Sequence, residues 1–155
     1  MNPDEISGLR QNLKGKVGLV GIGNRLKGDD AAGPELIDRI AGHGRLQCLD
    51  AGVAPENYLE KIVGIKPDTV LLVDAVDFGG AAGSCRLFSP DQIKGGMLSS
   101  HALSLRMTCD YLQQRIPVRI LVLGIQPAQV NMNGLLSQPV REAVDNLASE
   151  LNALA

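Results

Sequence analysis

The sequence has no tryptophan, and only two phenylalanines and two tyrosines among its 155 residues. Its core must therefore be packed from Val, Leu, Ile and Ala, in a chain long enough to bury a substantial core and expected to form one domain. It also lacks any run of basic residues. Lys and Arg are scattered without interleaved aromatics, and the formal net charge is −2. This excludes the electrostatic footprint of a nucleic-acid binder and any general pull toward an anionic membrane surface. The longest apolar runs, about seven residues, fall far short of the roughly 20 that span a bilayer, so membrane insertion is excluded too. Cysteine is scarce and unpaired in spacing: Cys48, Cys85 and Cys109 lie far apart. Such a set reads as reduced thiols in a cytoplasmic protein and as small buried side chains. The N-terminus is polar and carries Asp4-Glu5 where a secretory leader would be basic and then apolar, which supports the same location. Low net charge and no obvious apolar patch fit a monomer.

Two catalytic signatures are missing as well. There is no Gly-x-Ser-x-Gly elbow, so a serine hydrolase of that type is unsupported. In Val17 to Asp30, VGLVGIGNRLKGDD, an apolar run enters a glycine turn at Gly21 and Gly23, and Gly28 follows. A phosphate-binding loop would continue with Lys and a hydroxyl residue. Asp29 and Asp30 stand there instead, and carboxylates repel a phosphate by about 1 kcal/mol per charge pair at 4 Å in water. The segment is suited to a cation.

What is present is an alternation of strands and helices. Asn2-Pro3-Asp4-Glu5 starts a helix that Gly15 stops, expected to be peripheral. Strands are expected at Val17–Ile22, Leu46–Leu49 and Val70–Val73, with helices from Gly33-Pro34 and from Pro55 between them; Gly64 is expected to close the second. This order implies a parallel sheet with right-handed crossovers. A glycine-rich turn, Phe78 to Gly83, precedes an alternating edge strand at Ser84–Phe88, expected after a hairpin. One helical turn after Pro90, a helix at Leu103–Leu112 with Leu103, Met107 and Tyr111 as its apolar stripe, a last strand at Val118–Leu123 and a helix opened by Pro139 complete the pattern. The fold class is therefore α/β: a single domain with a twisted, mostly parallel sheet and helices on both faces.

In an open parallel sheet, ligands bind beyond the carboxyl ends of the strands. Those ends carry Gly23, Asn24, Asp29 and Asp30 after the first strand, Asp50 after the second, Asp74 after the third and Gln126 after the last, with His101 before a helix. Carboxylates converging on one crevice raise one another's pKa unless a cation joins them. Two carboxylates and an imidazole suit nickel, zinc or manganese; the plainer alternative is that Asp29 and Asp74 cap helices or close turns. Other readings lack a part each. A dinucleotide fingerprint would need Gly or Ala where Leu26 stands, although Asp50 imitates its ribose-binding acid. A receiver-like phosphoacceptor would need Lys before Pro127, where Gln126 stands. Cys109 near His101 reads as helix packing, and His43 between two glycines as a solvated turn residue.

Five segments in order, GIGNRLKGDDAAGPE from Gly21, DAGVAPEN from Asp50, LLVDAVDFG from Leu71, SSH at Ser99 to His101 and LGIQP from Leu123, resemble the NiFe-hydrogenase maturation endopeptidases, in particular the hydrogenase 3 type. The resemblance runs from Val17 to the final helix and leaves the first sixteen residues as an N-terminal extension. It implies removal of a C-terminal extension from a nickel-loaded large-subunit precursor. It also implies that Asp30, Asp74 and His101 bind the metal, with nickel supplied by the substrate and zinc or cadmium able to replace it in a crystal. Asp50 is the candidate general base, with holding a turn as its alternative, Asp29 a turn or helix-start residue, and Gly23, Asn24 and Gln126 are candidate substrate contacts. Ala31, in place of the Gly that many members carry, and Ser99-Ser100 before the His are the departures. Two alternatives remain: a self-sufficient zinc peptidase, and a non-enzymatic metal-binding or receiver-like module.

Overall fold

The computed structural model describes residues 3–42, 44–94, 101–131 and 134–154. His43 and the Ser99-Ser100 pair, read above as a turn residue and as part of a motif, lie outside them. Strands β1 (Val17–Gly21), β2 (Leu46–Asp50), β3 (Thr69–Ala75), β4 (Cys85–Phe88) and β5 (Arg119–Ile125) form one sheet in the order β2-β1-β3-β5-β4. The first three pairings are parallel, and β4 runs antiparallel at the edge. Right-handed connections on either side of β1 and β3 make the boundary between those two strands the point where the winding reverses.

Period-two alternation divides the strand residues between two cores. Val17, Leu19, Leu71, Val73, Leu121 and Leu123 face helices α1 (Pro3–Asn12), α2 (Ala32–Asp38) and α6 (Gln138–Asn152). Val20, Val70, Leu72, Ile120 and Val122 face α3 (Leu59–Ile65), α4 (Pro90–Lys94) and α5 (Ala102–Arg115). Strands buried on both faces cannot show polar alternation, which is why β3 reads as a continuous apolar run. Burying each of these aliphatic side chains stabilises the fold by about 1.5–3 kcal/mol.

Helix α2 sits directly on the sheet because Gly33 has no side chain. A Cβ there would lie 2.6 Å from the Val73 carbonyl oxygen and as close to the Ile22 amide nitrogen. Those are backbone atoms and cannot move aside, so the helix that follows the acidic turn is locked to β1 and β3.

Four expectations are corrected. The N-terminal helix is not peripheral: Leu9 and Leu13 are buried in the first core, and the Arg45 guanidinium donates to the carbonyls of Leu13 and Gly15. The edge strand does not form a hairpin with β3, because β5 occupies that position. Gly64 does not close α3, which runs to Ile65 and ends on Lys66 in a left-handed conformation (φ 55°). Finally, Leu103, Met107 and Tyr111 lie on the exposed side of α5, while Leu105, Thr108, Cys109 and Leu112 are buried. The helix carries two stripes at helical spacing. The one with small Thr108 and Cys109 can approach the sheet, and Tyr111 instead donates from its hydroxyl to Glu60 at 2.6 Å.

No disulfide joins cysteines among the described residues, with Cys85 and Cys109 buried and Cys48 half-buried. Burial pushes the Cys48 thiol up to about 11, so it stays protonated at neutral pH.

Candidate metal centre

The acidic turn is built by backbone geometry. After β1 the Gly23 amide donates to the Gly52 carbonyl, and the Asn24 side chain caps the Leu26 amide. A 3₁₀ turn, Gly28–Ala31, then leads into α2 with both of its aspartates buried. Gly23 must be glycine here, because a Cβ would overlap the carbonyl oxygen of Asp30. Asp30 therefore packs against the strand end. Its Oδ2 accepts the Asn24 amide at 3.0 Å, which aims the carboxylate.

Asp74 lies inside β3, opposite Gly124, one position beyond the last β1 pairing. It is fully buried. His101 precedes α5 and points back between the two acids. Its Nδ1 is 3.2 Å from Asp74 Oδ1, a hydrogen bond when Nδ1 carries the proton, and its Nε2 is 3.7 Å from Asp30 Oδ2. One donor atom from each of the three residues lies within 4.8 Å of the others. Asp30 follows β1 and Asp74 belongs to β3, so the cluster stands where the winding reverses, the place where open α/β sheets bind ligands.

The donor set fits a divalent ion. Two carboxylates and an imidazole are hard-to-borderline ligands, and small side-chain movements reach the roughly 2.0–2.2 Å distances that such ions need. The electrostatics point the same way. The hydrogen bond to Asp74 raises the His101 pKa against the opposing effect of burial, and the charges of Asp74 and Asp30 add to the rise. The site is thus short of positive charge and favours the protonated form of His101.

A folded pKa above the unfolded value, about 6.5 for His, contributes stability that is full at lower pH and is lost as pH rises through the folded pKa. Subtracting the melting profile of His101→Gln from that of the unmodified protein, both in chelator, should show this contribution disappearing above pH 6.5. A difference independent of pH would contradict it.

The remaining candidates are placed differently. Asp50 is outside the three-residue cluster. Its Oδ1 accepts the Gly52 amide and its Oδ2 pairs with Arg25, which also grips Asp38 through both oxygens. Its carboxylate is thus engaged by Arg25 and the Gly52 amide and not by His101. Asp50→Asn keeps the turn and loses one half-exposed ion pair worth about 0.2–1 kcal/mol. It should retain activity to within roughly tenfold (1.4 kcal/mol in barrier) in a precursor-cleavage assay. A thousandfold loss would assign Asp50 a chemical role.

Gln126 is buried and spends its amide inside the chain. Its oxygen accepts the Phe78 and Gly80 amides, and its nitrogen donates to Asp77. It shapes the loop after β3, and any effect on substrate passes through that loop. Gly23 and Asn24 flank the cluster as described, and among the described residues they contribute backbone amides more than free side-chain groups.

Sequence reasoning missed the reach of Asp29. It sits in the expected turn, but its fully buried carboxylate accepts the amides of Ala128, Gln129 and Ser137 and the Ser137 hydroxyl. Its own amide donates back to the Gln129 carbonyl. The donors lie about 100 residues away in the chain, and no local pattern marks them. The Arg25 pairing was missed for the same reason.

Comparisons with known proteins bear on the chain as a whole. A family model described as HycI, hydrogenase maturation protease, matches residues 33–153. The chain is 35% identical over 136 residues to the hydrogenase 3 maturation protease of Escherichia coli strain K12, covering 86% of each sequence. Among solved structures it is similar to the [NiFe] hydrogenase maturation protease HycI from Thermococcus kodakarensis KOD1, with a TM-score of 0.82, 31% identity and coverage of 97% of this chain and 96% of that one. It is also similar to the endopeptidase HycI from Escherichia coli, with a TM-score of 0.80, 32% identity and coverage of 89% and 90%.

Proposed function

The chain belongs to the hydrogenase maturation protease family, a family of hydrolases, and from this premise we propose that it removes the C-terminal extension of a NiFe-hydrogenase large-subunit precursor that already carries nickel. The observation that carries this reading is the Asp30–Asp74–His101 cluster, three donors converging with two buried carboxylates in a crevice suited to a divalent ion. Nickel belongs to the substrate, and these three residues complete its coordination. A precursor without nickel would leave them facing one another, so the metal acts as the recognition element.

A polypeptide substrate is supported by the rim of the crevice. Leu26, Val53 and Val130 are at least half exposed, in loops that follow β1, β2 and β5, and exposed Leu103 is two residues past His101. These exposed apolar side chains are available to contact a polypeptide partner. Cys109, the thiol nearest His101 in sequence, is 1% exposed within α5 packing, and water is the attacking group in this reading. The protein acts as a monomer in this reading. No helix among the described residues is long and apolar enough to cross a membrane, and a cytoplasmic setting fits cysteines that form no disulfide among the described residues.

Mass spectrometry of a large-subunit precursor incubated with the protein, with and without nickel loading, tests the reading. Loss of a C-terminal peptide in the loaded sample alone is expected. Cleavage of both samples, of unrelated peptides, or of neither would overturn it. The first two outcomes, with metal retained by the purified protein, would mark a self-sufficient zinc peptidase, and the last a non-enzymatic metal-binding module.

A further inference from the structure

We propose that Asp29 is a positioning residue that sets the metal-binding orientation of Asp30 by clamping the acidic turn to the segment between β5 and α6. The inference rests on the reading of Asp30 as a metal ligand and extends it to a neighbour that touches neither metal nor substrate.

Asp29 is buried to 0% exposure, and its two oxygens accept four hydrogen bonds. Oδ2 takes the amides of Ala128 at 2.8 Å and Gln129 at 3.1 Å and the Ser137 hydroxyl at 2.8 Å; Oδ1 takes the Ser137 amide at 2.7 Å. Hydrogen bonds to a charged acceptor are the strong ones, and four together hold a buried carboxylate without a cation. The clamp is reinforced on both sides. The Asp29 amide donates to Gln129 at 2.9 Å, and Lys27 forms a parallel bridge with Gly134.

The geometric consequence lies next door. Successive side chains in a tight helical turn point in directions about 120° apart, so fixing the direction of Asp29 fixes that of Asp30. Asp29 points away into the β5–α6 segment, and Asp30 is left pointing at Asn24 and His101, where its Oδ2 accepts the Asn24 amide. The four donors all need an acceptor. A carboxamide would turn an NH₂ group onto some of them, so Asp29→Asn removes the clamp while conserving volume.

The Asn24 amide separates a positioning role from a merely structural one. A local anchor would loosen only Ala128, Gln129 and Ser137 when removed. A residue that orients Asp30 also loosens Asn24, whose partner is Asp30 and not Asp29. Residue-resolved amide exchange by NMR on the full chain, paired with calorimetric titration with cadmium ions, reads both effects. In Asp29→Asn, exchange at Asn24 should rise at least tenfold and cadmium affinity should fall about 10–100-fold, the range typical for groups that orient metal ligands. Leu147→Ala, which opens the first core in α6 far from the clamp, should lower the melting temperature without either change.

Wild-type Asn24 exchange and cadmium affinity in folded Asp29→Asn would overturn the proposal. If that variant fails to fold, Ser137→Ala, which removes one donor and keeps the backbone, decides by the same two readouts, with smaller changes in the same direction expected. An unmodified protein that binds no cadmium and leaves nickel-loaded precursor uncut would refute the ligand reading itself. The Asn24 measurement, made without metal, still reports whether Asp29 orients Asp30.

Discussion

Replacing His101 with alanine should reduce cleavage of nickel-loaded precursor by on the order of a thousandfold or more. One coordinating donor contributes several kcal/mol where a metal is held, and each 1.36 kcal/mol is a factor of ten in rate. The change also removes a hydrogen-bond partner at 3.2 Å from fully buried Asp74, a bond worth about 1.5–3 kcal/mol where one group is charged. His101→Ala alone would therefore mix a stability effect with a ligand effect. Asp74→Asn separates them, because it keeps the shape and an acceptor oxygen toward His101 while removing the charge that a divalent ion needs. It should melt near the unmodified protein and yet lose cadmium binding and cleavage to a similar degree. Full activity in either variant would sink the assignment of these residues to the metal.

The second large effect should come from a residue with no side chain. Gly23→Ala places a methyl group on the carbonyl oxygen of Asp30, at a backbone position with φ of 151° that side-chain-bearing residues rarely adopt. The obstruction is backbone, so the acidic turn has to move. Overpacking of this kind costs about 1–3 kcal/mol and at times more, which for a chain of this size lowers the melting temperature by roughly 5–10 °C. The moving part carries Asp30, so cadmium affinity should fall with it even at temperatures where the variant remains folded. A variant with an unchanged melting temperature and unchanged affinity would show that the turn is looser than its packing implies. Comparing it with Leu147→Ala, which destabilises without touching the turn, isolates the site effect.

The two variants also differ in how legible their targets are in the sequence. His101 and the acids stand out because only two histidines occur in the chain and because Asp30, Asp50 and Asp74 follow or end apolar runs. Gly23 stands out as part of a strand-ending glycine turn. Asp29 looks equivalent to Asp30 in the sequence, since adjacent acids carry no mark of which way each points. The 3₁₀ turn decides it, sending one carboxylate toward His101 and the other into the β5–α6 segment. Asp50 and Asp74 likewise look alike as acids at strand ends. Asp74 is buried beside His101, whereas Asp50 is half-exposed and held by Arg25.

The same division holds for the fold. Apolar period and glycine–proline punctuation are local properties, so the strands, the helices and their alternation could be read directly, and with them the α/β class. Motif order carried the family. Three things depended on contacts between segments distant in the chain: the insertion of β5 between β3 and β4, the burial of the N-terminal helix through Leu9 and Leu13, and the choice of the Leu105–Cys109–Leu112 side of α5 over the Leu103–Met107–Tyr111 side. A helix with two possible apolar stripes buries the one its neighbours can accommodate, and those neighbours are set by the assembled sheet. Sequence by itself thus determined which residues could bind a divalent ion and at which end of the sheet they would gather. Tertiary structure decided which of the acids meet His101, because convergence at the β1–β3 boundary depends on strand order and on the direction each carboxylate is held.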